Sequence, residues 1–406
     1  MRNHLIIVSE SASFPWGMAA ANRVRNLAKL VMMEGWCVTY LGLRGADIKK
    51  KQDGNYNAYG READILYCYP GLFAVRSGNW CIRRLDDLLG CLFTIPFILM
   101  KKMFRKVDAI IFYSSNANIS GFWIPFLHFL RIPIILEVCE WPLAIAETLG
   151  SDHKKAARFC LDILPEVDAV LPISTYINNE IAKVAKQKQR VIPSFQIPIL
   201  IDIEGEILED ENKSYTGFML YCGSIAYMDI AMIIVDIVHE LKNRDIHLPV
   251  KFTGNKDDAK LTELKHYAEQ REVLSLFEFT GFIEEEELHR LMRQATCLLA
   301  PLPVNPQSES RFSTKIGYYL ASATPLVTNA VGDVNVYLKD RVNAFVATDC
   351  NVVQFAEKIK TIISEPDLAK RVGIAGHDLA HEKFHYTVAC KGFGAFIHRV
   401  VKDYKK

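Results

Sequence analysis

The chain has 406 residues, half of them hydrophobic and 23% charged. That is the composition of a folded globular protein with room for two ordinary domains, and it excludes a disordered chain. The formal net charge is +1, so no basic field marks the chain for nucleic acid. The ten cysteines are scattered singly, with no C-x-x-C pair and no metal-ligand spacing, which points to free thiols in a reduced, cytoplasmic setting. Cys37, Cys68, Cys81, Cys91, Cys139, Cys222 and Cys297 lie in apolar runs and are expected to act as small buried hydrophobes.

The opening MRNHLIIVSE carries an apolar run too short for a signal-peptide core, and it fits a first β-strand. Further strands are predicted at 37–43, 64–70, 108–115, 133–140 and 168–174. Most are continuous apolar runs, as in parallel strands buried on both faces. Between them, NRVRNLAKLVMMEG has helical periodicity and Gly35 to close it. LLGCLFTIPFILMKKMFRK (88–106) is apolar, interrupted by Pro96 and basic at its end. It is too short to span a bilayer and suits either a face lying on an anionic membrane or a buried helix. GFWIPFLHFLRIP (121–133) is expected to pack in the core, with His128 as a packing or hydrogen-bonding residue.

The acidic stretch 204–214 reads as a linker. A second strand series follows at 217–224, 249–255, 276–282, 296–303, 325–332 and 343–349. Among its helices, EEEELHRLMRQA has acids first and bases later, as the helix dipole favours. Two strand–helix series in succession imply two doubly wound α/β domains. The expected domains are 1–205 and 206–385, with a final helix at about 386–406 returning to the first.

Ligands in open α/β sheets bind beyond the carboxyl ends of the strands, and four segments fall there. In FPWGMAAANRVRNLA (14–28), Gly17 and the small residues to Ala21 allow close backbone approach, and Arg23 sits on the helix that follows. In EVCEWPLA (137–144), strand alternation puts Glu137 and Cys139 on one face and Glu140 towards the other, near the tip. An unpaired buried carboxylate is costly, so these acids either serve a site or pair with an arginine. In YCGSIAYMD (221–229), Gly223 and Ser224 suit either backbone donation to phosphate or a plain turn. In ESRFSTKIGYYLASATPLV (309–327), Ser313 is placed to cap a helix, leaving the N–H groups of Thr314, Lys315 and Ile316 outward beside the positive dipole end. Arg311 and Lys315 add two cations, so this corner suits a diphosphate as well as it suits a capped helix with solvated bases.

Together these residues resemble the GT-B glycosyltransferases, specifically the retaining family 4 group that uses nucleotide-sugar donors, over nearly the whole chain. GMAAANRVRNLA matches the family's glycine-bearing loop and R-x-x-x-L-A. Cys139-Glu140 stands where a His-Asp-like pair ends a strand, and Pro172-Ile173-Ser174 matches "P-x-S". Tyr221-Cys222-Gly223-Ser224 matches "YxGS", and Phe279-Thr280-Gly281-Phe282 through Leu288 matches "FxG-hydrophobic…EEL". RFSTKIGYYLASATPLV, followed by Gly332-Asp333, is the most specific match. The chain also departs from the pattern. Ser310 and Tyr318 occupy the positions of the family's paired glutamates, with Glu309 one step from the first. Ser224 and Met228 stand where many members place Arg and Lys.

The resemblance implies two Rossmann-like domains facing each other across a cleft. It implies transfer of a sugar, with retention, from a UDP- or GDP-linked donor to a hydroxyl of a glycan or lipid-linked acceptor, in polysaccharide or glycoconjugate synthesis of the bacterial type. The nucleotide sugar is a substrate; no cofactor, nucleic acid or metal is implied, and the sequence has no Asp-x-Asp motif. Lys315 and Arg311 would stabilise the leaving diphosphate, and Glu140 would orient the acceptor hydroxyl or act as base. Donor contacts fall to Gly17, Gly223, Ser224, Gly254, Phe282, Ile283, Glu309, Ser313, Thr314, Lys315 and Tyr318, and acceptor contacts to Arg23, Glu137 and Glu140. The alternatives are a GT-B nucleotide-sugar epimerase and a non-catalytic GT-B binding protein. A cytoplasmic protein, peripheral on the membrane's inner face through 88–106, is compatible with all of this.

Overall fold

The computed structural model describes residues 3–17, 19–47, 56–104, 107–202, 217–254 and 258–405. The predicted linker 204–214 and the basic residues Arg105 and Lys106 lie outside them. The chain divides into two compact units, Met1–Leu200 with Tyr386–Lys406, and Ile201–His385.

The first unit is built on β1 (His4–Ser9), β2 (Cys37–Gly42), β3 (Tyr59–Glu62), β4 (Ile65–Cys68), β5 (Ala109–Tyr113), β6 (Ile134–Val138) and β7 (Ala169–Pro172), in the order β3-β4-β2-β1-β5-β6-β7. Leu5 pairs with Val38 on one side and Ala109 on the other, both in parallel. The topological switch therefore lies at β1 and β5. Each predicted stretch holds a strand, because residues such as Leu5, Ile6, Ile7 and Val8 are buried on both faces. β3 was not predicted. Its YGRE alternates between half-buried and exposed positions and pairs antiparallel with β4 at the sheet edge, where one face meets water.

Helix α1 (Ala19–Met33) follows β1 and ends as expected at Gly35, whose φ of +81 few other residues adopt without strain. The terminal helix Phe393–Tyr404 belongs to this unit: Phe393, Phe396, Ile397, Val400 and Val401 share a core with Leu5, Val24, Leu27 and Val31. Helix α2 (Trp80–Met103) contains residues 88–103 of the predicted 88–106 stretch. Helix α3 (Ala117–Phe129) buries Trp123, Ile124 and Leu127, but it exposes Phe122 and Phe129, contrary to the expected core packing of the whole segment. His128 bonds Asp168 at 3.0 Å and stacks on Tyr404, as a structural residue would.

The second unit carries β8 (Met219–Cys222), β9 (Val250–Thr253), β10 (Phe277–Gly281), β11 (Cys297–Ala300), β12 (Leu326–Asn329) and β13 (Phe345–Ala347). Their order is β10-β9-β8-β11-β12-β13, parallel throughout, with the switch between β8 and β11. The helix Glu285–Gln294 has Glu285, Glu286 and Glu287 in its first turn and Arg293 in its last, in the sense the dipole favours. Of the seven cysteines expected to be buried, only Cys297 is; Cys37 and Cys81 are exposed and the rest half-buried. Apart from Cys91, midway along its helix, they fall at strand and helix ends, where an apolar run reaches the surface.

Candidate functional site

In the second unit, the helix Thr314–Ala321 starts beside the carboxyl end of β8. Its anchor is Tyr319, wholly buried, whose hydroxyl accepts the Cys222 N–H at 2.7 Å. One turn earlier, Lys315 holds its ammonium 4.2 Å from the centre of the Tyr221 ring, and the Arg311 guanidinium lies 5.8 Å from that of Tyr227. Both cations are thus drawn to the β8 loop at the sheet's switch point, where open α/β sheets bind ligands. Tyr221 and Tyr227 were not among the predicted site residues. The sequence signals for them are the YxGS match, which includes Tyr221, and their position on either side of Gly223-Ser224.

The glycines act differently from the prediction. The Gly223 N–H donates to the Thr253 carbonyl at 2.9 Å, and the Gly254 N–H to the Gly281 carbonyl at 2.9 Å. Neither is left to meet a phosphate. Their role is steric: the tips of β8, β9 and β10 carry Gly223, Gly254 and Gly281 side by side. Gly254 has φ +138, and a Cβ there would collide with the Gly223 carbonyl. The result is a low, side-chain-free floor. Ser224 closes a turn, its hydroxyl accepting the Ala226 N–H at 3.2 Å. Phe282, 55% exposed, and Ile283 follow β10, two strands from β8. At the usual strand spacing that is roughly 10 Å, the reach of a nucleoside from its diphosphate.

Ser313 stands at the helix N-cap, but its side chain makes no capping bond, which corrects the expectation. The Ile316 N–H, expected to point outward, donates to the Ser313 carbonyl at 3.1 Å, so the amides of Thr314 and Lys315 carry the positive end of the helix. Glu309 is committed elsewhere: its carboxylate accepts the Gly332 N–H at 3.0 Å. Ser310 is fully buried and donates to the Gln307 carbonyl. Tyr318 is half-buried, with its ring stacked near His289 at 6.5 Å between centres.

In the first unit, two of the three acceptor-side residues form the interior of the fold instead. Arg23 and Glu137 are 3% exposed each. The guanidinium meets the Glu137 carboxylate at 2.8 Å and also donates to the Ile197 carbonyl at 2.8 Å and to that of Pro198. Cys139 donates to Glu137 at 3.2 Å, and burial followed by the neighbouring carboxylate pushes this thiol far above its ordinary pKa. Strand alternation placed Glu137 and Cys139 on one face correctly; the partner 114 residues away was not legible. Glu140 is exposed beyond the end of β6, while the next residue, Trp141, is buried.

Gly17 is also packed. Its N–H donates to the Ser13 carbonyl at 2.6 Å, and a Cβ would sit 3.0 Å from that of Ser13. The surrounding loop is braced by hydroxyls the sequence did not reveal: Tyr40 donates to the Ala12 carbonyl and Tyr69 to that of Phe14.

The first unit's switch point gathers a group that was not predicted. Glu10 follows β1, and Arg44 lies just past β2. Ser114 follows β5, and Asn116 caps α3. The Glu10 side chain is 8% exposed, with Arg44 at 4.0 Å, and its Oε2 lacks a hydrogen-bond partner. Burial raises its pKa above the ordinary 4.5, against lowering by Arg44, Ser114 and Asn116. A buried carboxylate with a spare acceptor, beside an arginine at a switch point, suits a hydroxyl-bearing ligand. Among the described residues, no group of three or more His, Cys, Asp or Glu could hold a metal ion.

Residues 217–365 match the family described as glycosyl transferases group 1. No curated protein matches the sequence. Sucrose-phosphate synthase from Thermosynechococcus elongatus has a similar structure, with a TM-score of 0.75 at 13% identity, covering 99% of this chain and 100% of that one. A glycosyltransferase from Rickettsia africae gives 0.65 at 14% identity, over 100% and 99%. HepE from Anabaena, in complex with UDP and glucose, gives 0.64 at 12% identity, over 97% and 99%. The fold is therefore the GT-B fold, with two Rossmann-like domains.

Proposed function

We propose that this chain transfers a sugar from a nucleotide-sugar donor to an acceptor hydroxyl, with retention at the anomeric carbon and without a metal. One observation carries the reading: Arg311, Lys315 and the start of the Thr314–Ala321 helix converge on the β8 loop at the second unit's switch point. Negative charge develops on the nucleoside diphosphate as it leaves, and stabilising it is the main electrostatic task. Lys315, Arg311 and the first-turn amides are suited to it. The glycine floor accepts the nucleoside, with its base near Phe282 and Ile283. UDP is the first ligand to test, because HepE was solved with it, and GDP the second.

On the acceptor side, Glu10 takes the place assigned to Arg23 and Glu137: its spare oxygen accepts the hydroxyl's proton in a hydrogen bond, while Arg44 opposes the burial that raises its pKa. Exposed Glu140 keeps its proposed role of orienting the acceptor, a glycan or a lipid-linked glycan. Calorimetry tests the donor reading. Lys315→Ala should weaken UDP or GDP binding by ~1–3 kcal/mol, the worth of a charge-assisted contact; heat from neither nucleotide in the unaltered protein would sink the proposal.

Tyr318 favours a second reading, a nucleotide-binding protein without turnover, because it offers one phenol where the family has a ribose-binding carboxylate. Such a protein would bind UDP or GDP yet release no sugar from any donor in a panel of nucleotide sugars.

A further inference from the structure

Helix α2 is built inside out. The residues it buries are Asp86, Gly90, Thr94 and Ile98, three of them polar or without a side chain. The residues it exposes are Leu85 at 51%, Leu88 at 56%, Leu92 at 49%, Phe93 at 47%, Met100 at 47% and Met103 at 71%. In a water-soluble helix that segregation runs the other way. Gly90 shows that the packing is native to the helix and not an accident of one rotamer. A Cβ there would collide with the Leu43 carbonyl, so α2 lies tight against the end of β2 with its polar stripe inward.

The exposed apolar arc contains no charge. Leu85, Leu88, Leu92, Leu99 and Met103 recur at helical spacing along one side, and every charged residue of the helix falls off that line. The arc also extends beyond the helix. Asp86 accepts the backbone N–H groups of Leu72 at 2.6 Å and Phe73 at 3.2 Å, holding these exposed side chains at its N-terminal end. On α3, joined to α2 by the bond from Lys102 to the Arg131 carbonyl at 2.9 Å, Phe122 and Phe129 are exposed as well, the latter at 82%.

The charges bordering the arc choose its occupant. The acids of α2 are spent internally: Asp86 on the loop, and Asp87 on Arg76 at 2.9 Å. Arg84, 3.8 Å from Asp87, at one end and Lys102 at the other flank the arc with positive charge, while Arg83 and Lys101 fall on the side of the inward stripe. A continuous apolar arc about 27 Å long from Leu85 to Met103, at 1.5 Å per residue, with basic ends and no charge within it matches an anionic bilayer surface, with the apolar side chains entering the acyl boundary and the cations at the headgroups. Among the described residues no helix is long and apolar enough to cross a membrane, so the contact would be in the plane.

We propose that the α2–α3 face of the first unit docks on anionic lipid bilayers. This inference does not depend on the donor site. If both hold, the acceptor is one borne on a lipid, because the inward stripe of α2 packs beside Leu43 and hence beside Arg44 of the Glu10 group.

The test is co-sedimentation of the full chain with vesicles of phosphatidylcholine containing phosphatidylglycerol, and with phosphatidylcholine alone. The protein should bind the anionic vesicles, less so at high salt. The double variant Leu88→Glu/Leu92→Glu should bind at least ~tenfold more weakly, since each leucine forfeits its burial. Val191→Glu, at a position 94% exposed elsewhere in the unit, should bind as the unaltered protein does. Both positions of the double variant are about half-exposed, and unchanged tryptophan fluorescence would show that it still folds. Failure of the unaltered protein to bind anionic vesicles overturns the proposal, as does undiminished binding by a folded double variant. If light scattering instead shows a dimer in the absence of lipid that the double variant dissolves, and vesicles recruit neither form, the face belongs to a second copy of the chain. UDP calorimetry on the same variants reads the donor site separately.

Discussion

Replacing Arg23 by alanine tests the reassignment of two predicted acceptor residues to the interior. In the native structure the guanidinium offers a 2.8 Å ion pair to Glu137 and donates to the carbonyls of Ile197 and Pro198, all out of water. Removing it strands a carboxylate whose Oε2 already lacks a partner and orphans two backbone acceptors. Breaking a buried pair from one side costs about 3–5 kcal/mol, a large part of the ~5–15 kcal/mol that holds an ordinary domain folded. Arg23→Lys keeps the charge but not the fork that reaches both carbonyls, and should fall between. The assay is denaturant unfolding followed by tryptophan fluorescence. All five tryptophans, Trp16, Trp36, Trp80, Trp123 and Trp141, lie in the first unit, so the signal reports that unit alone. Glu137→Gln, which removes the charge and keeps the shape, should cost less than Arg23→Ala. The reasoning fails if Arg23→Ala leaves first-unit stability within about 0.5 kcal/mol of the unaltered protein while transfer to acceptor is lost.

Two further predictions concern pH. The folded-state pKa of Glu10 is raised above 4.5, so the stability linked to it is fully present below the unfolded value and lost as pH rises through the native one. Glu10→Gln should therefore be more stable than the unaltered protein at neutral pH, with the difference closing below pH 4.5, and should transfer sugar poorly; equal stability at neutral pH would contradict the burial argument. His381 lies between His377, tilted at 4.2 Å, and His385, stacked at 5.6 Å between ring centres, and its pKa is lowered from 6.5 by burial first and then by these neighbours. Its contribution is present above pH 6.5 and lost as pH falls through the depressed native value. His381→Phe should flatten the fall in second-unit stability over that range, measured by circular dichroism; an unchanged slope would place the loss elsewhere.

The alternation of buried runs and helical periods was enough to locate the parallel strands of both sheets, though not the antiparallel edge strand β3, because a parallel strand covered on both faces must be apolar along its length. The helix start at Ser313 to Lys315 was legible for a similar reason: a cap, a first turn and two cations are local in sequence. What lay beyond reach was every feature decided by a distant partner. The Gly223 amide was read as a phosphate donor or part of a plain turn, but the neighbouring strand claims it through the Thr253 carbonyl. Arg23 was read as facing an acceptor, and Glu137 as serving a site or pairing with an arginine; that the two neutralise each other inside the fold rests on a separation no local pattern encodes. The apolar 88–106 stretch fitted a buried helix and a surface one equally. Only the close approach of Gly90 to Leu43 turned its polar stripe inward and its leucines out. Sequence periodicity states which residues share a face, and tertiary packing decides which face meets the core.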